Sequence, residues 1–267
     1  MIRTPVVANQ FYPGDPRILR ETLAELTPTS SKEKKKALAV VSPHAGYIYS
    51  GSVAGETFSQ VEIPDTIIIL GPNHSGRGAR VAMMSQGEWQ MPMGNINLNS
   101  ELGDLLSHST VIEQDHIAHS YEHSLEVQVP FLQYLKKEFT ILPLVVSHIP
   151  YSDCLNAGKE IAAAISQYNK PVLMVASTDM THYESRKSAS HKDHLALEHI
   201  ISLDPEGLYN TVVGQRISMC GIMPTTIALI AAIELGATKA ELIRYTDSGE
   251  TSGDTQQVVG YAGCVIS

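Results

Sequence analysis

Several residues in this chain combine reactive side chains with positions that could bring them together. His74 lies in the stretch T-I-I-I-L-G-P-N-H-S-G at 66–76, in which Ile67 to Leu70 form an unbroken aliphatic run. Such a run, bounded by Pro64 and Pro72, predicts a strand buried on both faces, as in a parallel sheet. Gly71-Pro72 is expected to end it, because proline cannot donate to the ladder. The pattern recurs twice: Ala37–Val41 leads into S-P-H-A-G with His44, and Val172–Ala176 leads into S-T-D-M-T-H with Asp179 and His182. Histidines just past the carboxyl ends of buried strands sit on the rim where α/β sheets bind ligands. With His123 from the dense stretch 115–127, the set is His44, His74, His123, Asp179 and His182. Imidazole nitrogens are the commonest protein ligands for zinc, copper and iron, and two histidines with one anionic group leave coordination positions open. Spacing alone gives equal weight to loop imidazoles held by hydrogen bonds.

Other patterns carry less. His116, His119 and His123 have an H-x2-H-x3-H spacing but lack the H-E-x-x-H order of zinc peptidases. His191 and His194 lie on a polar helix and are expected to be exposed. The chain has no phosphate-binding loop, dinucleotide fingerprint or G-x-S-x-G elbow. Ser177, Asp179 and His182 are too close in sequence to read as a nucleophile with its base and orienter. Cys220 lies in S-M-C-G-I-M-P, immediately before an apolar helix starting near Pro224. A helix N-terminus there is expected to lower its thiol pKa. Cys154 and Cys264 read as buried structural residues.

The elements that must position these residues alternate. Helices are expected at Arg17–Leu26, after Gly46–Gly51 as far as Gln60, and at Ser100–Ser107, Phe131–Lys137, Ser152–Tyr168, Ser190–Ser202, Asp204–Val213 and Met223–Leu235. Further strands are expected at Thr140–Val146, Glu241–Tyr245 and Val258–Ile266, and Arg80–Asn99 is less regular. This gives an α/β fold: a single domain over residues 1–267 with a largely parallel or mixed central sheet flanked by helices. The polar stretch Thr27–Lys36, with Lys32, Lys34, Lys35 and Lys36, reads as a solvated linker. Of 267 residues 43% are hydrophobic and 18% charged, which is ordinary for a globular protein. The net charge of −9 argues against general binding to nucleic acid or anionic membranes. No apolar run approaches the roughly 20 residues of a membrane span, and the N-terminus lacks an apolar signal core. Three scattered cysteines without C-x-x-C point to a reducing compartment and a cytoplasmic protein.

Six segments occur together in order: V-V-A-N-Q-F-Y-P-G (6–14), S-P-H-A-G-Y (42–47), L-G-P-N-H (70–74), E-H-S-L-E-V-Q-V-P-F-L-Q (122–133), S-T-D-M-T-H-Y (177–183) and C-G (220–221). In these the chain resembles the Memo family, also called AmmeMemoRadiSam system protein B. The resemblance spans essentially the whole chain. It implies a fold similar to class III, LigB-type non-heme iron extradiol dioxygenases. It also implies a redox metal, iron or copper with zinc as a further possibility, held by His44, His74 and Cys220, with His123, Asp179 and His182 lining the pocket, the two histidines in acid–base or substrate roles and Asp179 orienting a histidine. In the dioxygenases a carboxylate takes the third ligand position, where this chain has a cysteine. Two functions follow: dioxygenase-like oxidoreductase chemistry on an unknown substrate, or a non-catalytic protein that keeps the pocket for a peptide, small ligand or metal. The family name implies work beside AMMECR1-like and radical SAM proteins.

Overall fold

The protein is described by a computed structural model covering residues 1–29 and 33–267. Its centre is four parallel strands in the order Ala39–Ser42, Val172–Ser177, Thr66–Pro72, Thr140–Val146. Alternation explains why they read as unbroken aliphatic runs. Ile68 and Leu70 enter the apolar core on one face of the sheet, and Ile67 and Ile69 enter the core on the other. Helices cover both faces. Tyr151–Tyr168, Arg186–Ile201, Pro205–Gly214 and Ile222–Glu234 lie on the first, and Pro16–Leu26, Tyr47–Ser59 and Val129–Leu135 on the second.

The edges make the sheet mixed. Val258–Ile266 runs antiparallel beside Ala39–Ser42 and carries Ala240–Asp247 and the short His182–Glu184 strand. Val81–Met83 is antiparallel to Thr140–Val146 and pairs with Glu113–Gln114 at the far edge. Nine strands are joined in this sheet among the described residues.

Local chemistry accounts for several boundaries. Asp15 caps Pro16–Leu26 by accepting from the Arg17 and Ile18 amides, with Pro16 at the first helical position. Leu19 and Leu23, one turn apart, bury that helix's apolar face. Ile222–Glu234 is apolar on nearly every side because it packs between the sheet and Tyr151–Tyr168. Gly158 permits that crossing, since a Cβ there would lie 2.6 Å from Ile230 Cγ2.

Four expectations change. The central strand runs through Gly71 and Pro72, which pair in register with Val145 and Val146. Proline is tolerated at the last rung because its carbonyl still accepts, here from the Ser124 hydroxyl. The irregular stretch 80–99 contains Val81–Met83 and two strands, Glu88–Trp89 and Ile96–Asn97, that form a small sheet with Ile2–Arg3. The helix expected after Gly51 already begins at Tyr47, and a 3₁₀ turn, Glu126–Gln128, precedes Val129–Leu135. In the lysine-rich stretch Lys32 lies outside the described residues. Lys35 pairs with Glu241 at 2.5 Å, so the segment is partly anchored.

The small sheet delivers Arg3 to a buried ion pair with Glu126, Nη1 to Oε2 at 2.8 Å. Glu126 also accepts from the Val6 and Val7 amides and from the Tyr12 hydroxyl at 2.6 Å. Arg3 stacks over Trp89 at 4.2 Å and donates to the His119 and Glu122 carbonyls. This network ties the N-terminal segment to the histidine-bearing stretch 115–128. Arg3→Ala would leave the Glu126 carboxylate buried without its cation, and is expected to lower stability by about 3–5 kcal/mol in chemical denaturation. A loss under about 1 kcal/mol would mean that the pair does not organise this end of the molecule.

Candidate functional site

Parallel strands end on one rim, so residues distant in sequence meet there. His44 stands two positions past Ala39–Ser42, and His74 two past Thr66–Pro72. Asp179 follows Val172–Ser177, and His123 arrives from the loop before Glu126–Gln128. One ligand atom from each of His44, His74 and His123 lies within 4.8 Å of the others, a grouping able to hold a metal ion. The His74 and His123 rings stack at 4.6 Å, and His44 meets them edge-on at 5.4 and 5.5 Å. His44 is 2% exposed, His123 half-buried and His74 open to solvent.

Hydrogen counting assigns the ring tautomers. The Ser177 hydroxyl has one hydrogen, which it donates to the Ser124 carbonyl at 2.7 Å, while it accepts from Gln128 Nε2 at 2.8 Å. It can therefore only accept from His44 Nδ1, 2.9 Å away. His44 thus carries its proton on Nδ1 and keeps a bare Nε2. Glu122 does the same for His74, whose Nδ1 donates to Oε1 at 2.9 Å. The Glu122 carboxylate also accepts from the backbone amides of His74, His123 and Ser124. Burial would raise the Glu122 carboxyl, but the His74 bond and charge and the Ser124 amide outweigh it and hold it at about 2. Fixing imidazole tautomers through the other ring nitrogen is characteristic of metal sites.

The apparatus around His44 includes Cys220 and Asp179. Cys220 Sγ is 3.4 Å from His44 Nε2 and accepts from the Asp179 amide at 3.2 Å. Gly221 allows the approach, since a Cβ there would lie 2.4 Å from the Ser177 carbonyl oxygen and the Thr178 side chain. Burial first, then the Asp179 charge, pushes the Cys220 thiol up. This reverses the sequence expectation, because desolvation of the thiolate exceeds the pull of the helix N-terminus. Asp179 Oδ1 accepts from the His44 amide at 2.8 Å, and burial pushes its carboxyl up to about 6. Burial, then His123 and His74, holds His44 well below its ordinary value. The 4.0 Å approach of His44 Nε2 to Asp179 is accordingly a contact with a neutral ring. Burial, opposed by Glu122, also lowers His123.

His182 stands outside the triplet, on the edge strand. Its Nδ1 donates to the Ser218 carbonyl at 2.9 Å, so its Nε2 is also bare. His116 and His119 do not share the site. His116 is exposed, and His119 is buried with Nε2 on the Ala82 carbonyl, where burial lowers it to about 4. His191 and His194 are exposed, and Cys154 and Cys264 are buried. Sequence reasoning missed Glu122, Gln128 and the part played by Ser177. The available signal was proximity: Glu122 directly precedes His123, and Ser177 opens the segment carrying Asp179.

A family model described as Memo-like protein matches residues 3–265. A MEMO1 family protein of Aquifex aeolicus is 39% identical over 266 residues, covering 99% of each chain. Another, from Methanosarcina barkeri, is 40% identical over 266 residues, covering 99% of this chain and 100% of its own. Among solved structures, an uncharacterized protein from Escherichia coli K12 aligns with a TM-score of 0.51 at 12% identity, over 85% of this chain and 98% of that one, which is a likeness of fold alone. The match along nearly the whole sequence, with relatives similar over their full length, shows that this chain belongs to the Memo family.

Proposed function

We propose that this protein holds a single redox metal ion, iron or copper, on the rim formed by His44, His74 and His123, and that it carries out dioxygenase-like oxidoreductase chemistry on a small-molecule or peptide ligand. The observation that carries the reading is the triplet itself, whose ligand atoms lie within 4.8 Å of one another. The donor set fits such an ion, because hydrogen bonds through Nδ1 leave the His44 and His74 Nε2 lone pairs bare. Cys220, beside His44 Nε2, is the further donor, as the family resemblance implies. Imidazoles with a soft sulfur suit copper, iron and zinc, and a bound iron or copper would supply one-electron redox chemistry.

The surrounding residues have separable tasks. Glu122 and Ser177 orient rings. Asp179 fixes the His44 backbone and stands beside the thiol, and His182 presents a bare Nε2 able to take a proton from a bound ligand. A second reading, a non-catalytic metal- or ligand-binding protein, is favoured by one feature: the triplet includes no carboxylate, the third ligand in the dioxygenases. Oxygen uptake separates the two. Metal-loaded protein that consumes no oxygen with catechols, amines or reductants would establish the second reading.

Elemental analysis of protein purified without added metal is expected to show near-stoichiometric iron or copper, lost from the His44→Ala/His74→Ala double variant. Equal metal in both proteins would end the proposal. Ser177→Ala removes the acceptor that fixes the His44 tautomer while leaving every donor in place. Chelator competition should then show metal affinity about 10–100-fold weaker. Unchanged affinity would remove the tautomer argument.

A further inference from the structure

A cavity of about 950 Å³ opens at the end of the sheet opposite the histidines. Leu38, Thr66, Thr140 and Val172 line it, and each begins a central parallel strand or directly precedes one, whereas the rim gathers the carboxyl ends of the same strands. The volume is that of a small-molecule site, and Leu38, Ile63, Leu98 and Ile165 give it apolar walls.

Four of its lining residues, Thr66, Asn99, Thr140 and Tyr168, form one hydrogen-bonded cluster. The Asn99 amide is fixed in orientation, because its Oδ1 accepts from the Leu102 amide at 2.8 Å. Its two N–H hydrogens face three hydroxyl oxygens, Thr140 at 2.9 Å, Tyr168 at 3.0 Å and Thr66 at 3.3 Å. The Thr140 hydroxyl donates to the Asp65 carbonyl at 3.3 Å. The Thr66 and Tyr168 hydroxyls lie 3.1 Å apart, and neither has another acceptor among the described residues. Their two hydrogens therefore share one hydrogen bond, whichever oxygen donates. One hydrogen is left over, on a side chain that is 3% exposed if Thr66 carries it and 8% exposed if Tyr168 does. A donor so placed is costly without a partner, and an acceptor in the cavity would relieve it.

The charges around the cavity cancel. Glu101 holds Lys170 at 2.7 Å, and Asp65 is held by Lys136 at 2.7 Å. That leaves Lys36 and Glu62, one of each sign and both exposed, without an ion pair among the described residues. An ionic ligand would have to bury its charge against apolar walls with no surplus countercharge to meet it.

We propose that this cavity is a second binding site, separate from the rim, for a neutral aliphatic molecule with a carbonyl oxygen, such as a medium-chain ketone, whose oxygen accepts the spare hydrogen of the Thr66–Tyr168 pair. The site depends neither on the rim nor on a metal held there.

The test uses hexyl methyl ketone, octanoate and octylammonium, titrated by NMR into the full chain as purified. The ketone is expected to bind about tenfold more tightly than either ion. Thr66→Val/Tyr168→Phe removes both hydroxyls, and with them the spare hydrogen, and should weaken the ketone about five- to tenfold. Either single substitution leaves one hydroxyl whose hydrogen has no protein acceptor, and should cost less than about threefold. Ala37→Trp fills the cavity from its wall without touching the cluster, and should abolish binding in a protein that keeps its folded spectrum. The His44→Ala/His74→Ala variant should bind the ketone as the parent does, so a failure of the rim as a metal site and a failure of this site are told apart. No ketone binding, equal binding of either ion, or undiminished binding by the double hydroxyl variant would overturn the proposal. Binding that survives Ala37→Trp and is lost with the rim histidines would do so as well, by moving the ligand to the rim.

Discussion

One ionised carboxylate holds the histidine rim in shape. Glu122 is almost fully buried and accepts from the backbones of His74, His123 and Ser124 as well as from the His74 ring. These donors belong to two loops that leave the sheet in different places, and they converge because a desolvated carboxylate needs its lone pairs filled. With that carboxylate neutral or absent, the loop after Thr66–Pro72 would keep only weaker ties to the segment carrying His123, among them the Ser124 hydroxyl on the Pro72 carbonyl and Arg77 over the Tyr121 ring. The stacked pair of imidazoles is therefore a consequence of charge satisfaction more than of ring–ring attraction.

The same logic extends outward. Beneath Glu122, Glu126 is satisfied by Arg3, Tyr12 and two amides, and Gln128 donates to Ser177 and to the Pro43 carbonyl. Positions 122, 126 and 128 thus place three polar groups under the rim, beside a core that is mostly apolar. A polar layer paired to this degree is rigid, since each partner's displacement strands another, and only Gln128 Oε1 among these three side chains is buried without a partner. It converts a greasy sheet, which tolerates repacking, into a platform that sets ring orientation.

Much of this was legible in the residues. Aliphatic runs marked the central strands because burial on both faces removes the polar alternation, and Val258–Ile266 has the bounds its pattern implies. His44 and His74 could be placed on the rim because they follow such runs directly. The edge strands Val81–Met83 and Glu113–Gln114 and the small N-terminal sheet were not legible, since two- and three-residue strands carry too little periodicity to register. Nor were the tasks of Glu122 and Ser177, which depend on hydrogen-bond directions that only the assembled loops create. Cys220 shows the limit most plainly. Its place before a helix was read correctly, but the sign of its shift depends on burial against Asp179, 41 residues away in the chain.

The strand order also governs when the site can exist. Ala39–Ser42, the strand that carries His44, emerges early in synthesis, yet both its neighbours, Val172–Ser177 and Val258–Ile266, come from the second half of the chain. The residue that fixes the His44 ring is 133 positions away, and the thiol beside it 176. A nascent chain therefore holds His44 as an unpaired segment, and the rim closes only once nearly all of the protein is available. Contacts of such long range make folding slow, and they make site completion coincide with the end of folding. A partly folded chain cannot present the assembled imidazoles to a stray ion.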